Sequence, residues 1–70
     1  MDAVIVMVPR LGGGWSYHRT FRLTPTEPQL QYIKALGASI EYKDDTFWIR
    51  SNDPRMIEEY IDRLTEDNRS

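Results

Sequence analysis

The chain uses one short unit twice: two candidate strands and a helix over residues 1–37, then two more strands and a second helix over residues 38–65. Such a repeat leaves few folds open, because each hairpin has an apolar face and each helix an apolar stripe, and these must cover one another. Seventy residues make one domain at most, and a chain of this size buries only about 60% of the surface it exposes when unfolded. Residues 1–65 are assigned to a single domain and residues 66–70 to a flexible tail.

Residues 3–8 are rich in β-branched side chains and read as a strand with apolar groups on both faces, ended by Pro9. Leu11-Gly12-Gly13-Gly14-Trp15 is a flexible reversal into a second strand over residues 16–23. The first helix has two candidate caps. Thr24 starts a capping box closed by Glu27, whereas Thr26 leaves Pro28 harmlessly in the first turn. Leu30, Ile33 and Leu36 form its stripe, and Gly37 stops it. Residues 38–43 and 46–51 alternate about an Asp44-Asp45 turn. Asp53 caps the last helix, whose buried stripe is Ile57, Tyr60, Ile61 and Leu64.

Alternation turns Phe21, Leu23, Ile40, Tyr42, Phe47 and Ile49 toward the helices, and His18, Thr20, Arg22, Glu41, Lys43, Thr46, Trp48 and Arg50 toward the open face. The expected fold is α+β: a two-layer sandwich, ββαββα, with two helices on one face of a four-stranded antiparallel sheet. Hairpin pairing and a crossover through the first helix give the order 1-2-4-3. Strand 1 is then an uncharged edge, and an edge of that kind is usually covered. A homodimer through Val4, Val6 and Val8 is the expected cover.

Charge is unevenly spread. The net value is -2, yet residues 1–36 sum to +2 and the remainder to -4. With no cysteine there is neither a disulfide nor a thiolate metal site. The apolar run at residues 3–8 is far short of the roughly 20 residues that span a bilayer and lacks a basic start, so a cytoplasmic protein without a membrane partner is expected.

The order of these features resembles the core of the LAGLIDADG homing endonuclease family. The resemblance is carried by Tyr17-His18-Arg19-Thr20-Phe21-Arg22-Leu23-Thr24, by Leu30-Gln31-Tyr32-Ile33-Lys34-Ala35-Leu36-Gly37, by Ile40-Glu41-Tyr42-Lys43-Asp44-Asp45, and by Phe47-Trp48-Ile49-Arg50-Ser51 before the last helix. It implies an open sheet face lying on double-stranded DNA. The family's name-giving helix, with its metal-binding acid, would precede the first strand, where this chain has Met1-Asp2. Endonuclease activity is therefore not implied. A second likeness, to the PB1 interaction domain, lies in Tyr42-Lys43-Asp44-Asp45 and Ser51-Asn52-Asp53.

No enzyme, metal or cofactor is expected from these residues. The triple glycine leads into a strand and lacks the Lys-Ser/Thr of a phosphate loop. His18 is the only histidine, and Asp44 and Asp45 are solvated turn residues. The expected site is the open face, where His18, Arg22, Lys43, Trp48 and Arg50 interleave cations with aromatics, enlarged by Arg10, Arg19 and Lys34. That pattern suits a non-catalytic nucleic-acid-binding accessory or regulatory protein. The alternative is a protein–protein interaction module, such as a viral or mobile-element inhibitor of a host protein, using exposed Trp15 and Trp48.

Overall fold

Alternating β-branched and aromatic residues form four strands in a computed structural model that describes residues 2–66, apart from the Glu66 side chain. They are β1 (Ala3–Pro9), β2 (Trp15–Arg22), β3 (Ser39–Lys43) and β4 (Thr46–Arg50), with α1 (Glu27–Ala35) between the hairpins and α2 (Ile57–Glu66) at the end. The ββαββα order expected from the sequence is present. Helix α2 runs through Glu66, and the rest of the expected tail lies outside the described residues.

Both expected hairpins form, β1 with β2 and β3 with β4, each antiparallel. They join through β1 and β4, which run parallel, so the order is β2-β1-β4-β3 and the sheet is mixed. The first hairpin is thus turned over relative to the expected 1-2-4-3 order. The reason lies in β1 itself. A strand apolar on both faces gains most from an interior place, where Val4 and Val6 are fully buried under the helices and Ile5 and Met7 are half-buried on the other side. Strand β2, with Tyr17, His18, Arg19 and Thr20 all exposed, suits an edge. The expected dimer edge at Val4, Val6 and Val8 is therefore corrected: β2 and β4 occupy both sides of β1.

The core collects Val4, Val6, Ile49 and Ile33 with Ile57, Tyr60, Ile61 and Leu64, so both helices cover one face. Thr26 caps α1, and the reciprocal bond comes from Gln29, not from Glu27: the Thr26 N–H donates to Gln29 Oε1 at 2.8 Å. Gln29 is itself buried, and its Nε2 donates to the Arg63 and Leu64 carbonyls at 2.9 and 3.4 Å, tying the start of α1 to the last turns of α2. Arg63 also lies 4.0 Å over the Tyr32 ring, joining the same seam. The chain enters α2 through a 3-10 turn at Pro54–Met56 capped by Asp53.

Candidate contact face

Strand pairing sets the open face in rows. Arg22, Ala3, Thr46 and Lys43 make one row, and Thr20, Ile5, Trp48 and Glu41 the next. The third is Tyr17, Met7, Arg50 and Ser39. Phe47 and Ile49 point the other way, and Phe47 packs against the core while Trp48 stays outside it. The expected direction of Trp48, Arg50, Lys43 and Arg22 is found.

A bulge in β2 decides what joins them. Arg19 is opposite Val6 and Tyr17 is opposite Met7, so His18 is an extra, exposed residue without a partner in the register. One extra residue reverses the parity of everything before it. Trp15, which an unbroken alternation would turn to the helix side with Phe21, comes instead to the open face, and lines a groove with Met7, Glu41, Lys43, Asp44, Trp48 and Arg50. The groove is shallow, with a volume of about 280 Å³. Met7 enters it because β1 lies beside β4, a neighbour relation that the expected strand order lacked.

The charges of the groove are mixed. Arg50 Nη2 lies 3.4 Å from Glu41 Oε2, and the side chains are 33% and 54% exposed, so solvent screens the pair and it is worth less than about 1 kcal/mol. Arg50 Nε is shut off from solvent and has no hydrogen-bond partner among the described residues. Trp48 Nε1 donates to the Lys43 carbonyl at 3.4 Å, which leans the indole toward β3. Lys43 and Asp44 add one further charge of each sign.

Three cations expected to enlarge the positive patch do not do so. Arg19 is on the helix side, 5.6 Å from the Phe21 ring centre, and Lys34 belongs to α1 in the other layer. Arg10 folds over its own loop, with Nε 3.5 Å from the Gly13 carbonyl. That leaves Arg22 and Lys43 at opposite edges of one row, three strand spacings or roughly 14 Å apart. His18 sits at the bulge. Among the described residues, no three His, Cys, Asp or Glu side chains are grouped as a metal site, and no helix is long and apolar enough to cross a membrane.

At the far end of the β3–β4 hairpin, Tyr42 Oη lies 3.1 Å from Asp2 Oδ1 and 3.3 Å from Asp45 Oδ1. Its one proton can serve only one of them at a time. Partial withdrawal from water, then the bond to Asp2 and the two nearby negative charges, push the Tyr42 phenol above its ordinary pKa. This cluster pins the start of β1 to the turn and lies away from the groove lining. Comparison of the chain with protein-family models, curated proteins and solved structures finds no match.

Proposed function

We propose that this is a small non-catalytic binding protein whose open sheet face receives a partner protein. The observation that carries the reading is the groove: two tryptophans and a methionine bordered by two acidic and two basic side chains. Aromatic side chains supply contact area at low ordering cost, Met adapts its shape to what it meets, and charges of both signs on the rim select a partner's orientation. A partner side chain of modest size fits about 280 Å³. Trp48 is the expected anchor.

Nucleic-acid contact is the second reading, motivated by Arg22, Lys43 and exposed Tyr17 on the same face. Phosphate binding calls for a surplus of positive charge, and Glu41 and Asp44 cancel much of it here. Capture of a partner from nuclease-treated lysate of the source cell separates the two. Retention by the unaltered protein, loss with Trp48→Ala and retention with the helix-side variant Glu58→Ala support protein binding. A partner released by nuclease, or held equally by Trp48→Ala, removes that reading. Binding of a labelled duplex that weakens steeply with salt and with Arg22→Ala would put the nucleic-acid reading in its place.

A further inference from the structure

We infer that the outer edge of β2 is a second docking surface, which takes an extended acidic segment of a partner protein as a fifth strand. The strand order leaves two edges, β2 and β3. Along β2 the outward backbone donors and acceptors meet no further strand among the described residues. Its charge is of one sign. Arg19 and Arg22 are exposed and β2 has no acidic residue, whereas β3 carries both Glu41 and Lys43.

The bulge narrows the register. Pairing is regular from Arg19 to Arg22 and breaks at His18, so the usable edge is these four residues. Arg19 shares the helix side with Phe21, and Arg22 shares the open side with Thr20. An added strand therefore meets both arginines only if it carries acids three positions apart, with an apolar residue next to one of them to cover half-buried Phe21. The same charges oppose a second copy as the occupant, since pairing two β2 edges over these residues sets arginines against arginines. The groove lies on the open face, and this edge does not depend on it.

The test uses a capped peptide, Thr-Ser-Glu-Val-Thr-Glu-Ser-Thr, titrated into the 15N-labelled protein at low salt. The expected result is saturable binding below 1 mM, with slowed exchange of the Thr20 and Arg22 amides, which point outward while those of Arg19 and Phe21 bond β1. Replacing both peptide glutamates by glutamine weakens it about tenfold, as does Arg19→Gln with Arg22→Gln, because each removes two exposed ion pairs. A peptide N-methylated at the first Glu and central Thr amides, which face the outward-bonding Arg22 and Thr20, loses binding, and Trp48→Ala leaves it unchanged. No binding by 1 mM overturns the inference. So does binding that is indifferent to N-methylation, binding that leaves the β2 amides unperturbed, or a doubled mass of the free protein that Thr20→Pro abolishes.

Discussion

The two faces of one sheet divide the work of the molecule. On the helix side Val4, Val6 and Ile49 are fully buried and meet Ile33, Tyr60 and Leu64. On the open side their immediate neighbours Ile5, Trp48 and Arg50 stay half-covered. Backbone and strands are common to both, so burial alone separates the residues that hold the fold from those free to contact something else. The free face remains less than fully wet because indole, thioether and arginine stems lie over it.

The sharpest way to break this contrast is to cut the same strand on each side. Ile49→Ala removes a fully buried branched side chain and is expected to cost about 3 kcal/mol in urea unfolding. If Ile49→Ala cost less than Trp48→Ala, the division of labour would be wrong. The next effect belongs to the helix layer. Gln29→Ala removes the buried bonds to the Thr26 N–H and to the Arg63 and Leu64 carbonyls and is expected to cost about 2 kcal/mol. Trp48→Ala should cost about 1 kcal/mol or less, because the indole is only half-buried.

A smaller change runs the other way. Asp44 and Asp45 occupy φ of 55° and 57°, where an L side chain is strained and glycine is not. Asp45→Gly is expected to raise stability by about 0.5 kcal/mol, and a loss of more than 1 kcal/mol would show that the Tyr42 contact outweighs the strain. The least effect is read at high pH. Folding holds the Tyr42 proton more tightly than the unfolded chain does, so stability falls as pH rises above about 10 and through the raised folded value. Tyr42→Phe should flatten that part of the urea-midpoint profile.

Much of the helix side was legible in the chain. The stripe Ile57, Tyr60, Ile61 and Leu64 is buried throughout, and the alternation of Phe47, Trp48, Ile49 and Arg50 gives their sides correctly. Pairing between hairpins was less legible, since a hairpin can join its neighbour by either strand and local pattern does not choose. The two-sided apolar character of β1 was the available signal for an interior place, and it was outweighed by the simplest crossover. Trp15 and Met7 entered the groove through a bulge and a parallel pairing, neither of which has a local sequence mark. Arg19, two residues from Phe21, belongs to the helix side by local alternation alone, so its grouping with the open-face cations runs against the strand's own pattern. Gln29 was invisible because its partners are backbone carbonyls 34 and 35 residues away.

The central claim is that the outer surface of this sheet is a contact surface and the helix surface is not. A photoreactive phenylalanine placed at Trp48, and separately at exposed Glu58 on α2, tests it in the source cell. A discrete crosslinked protein from position 48 and none from position 58 is the predicted result. Crosslinks from position 58 with none from position 48 would contradict it.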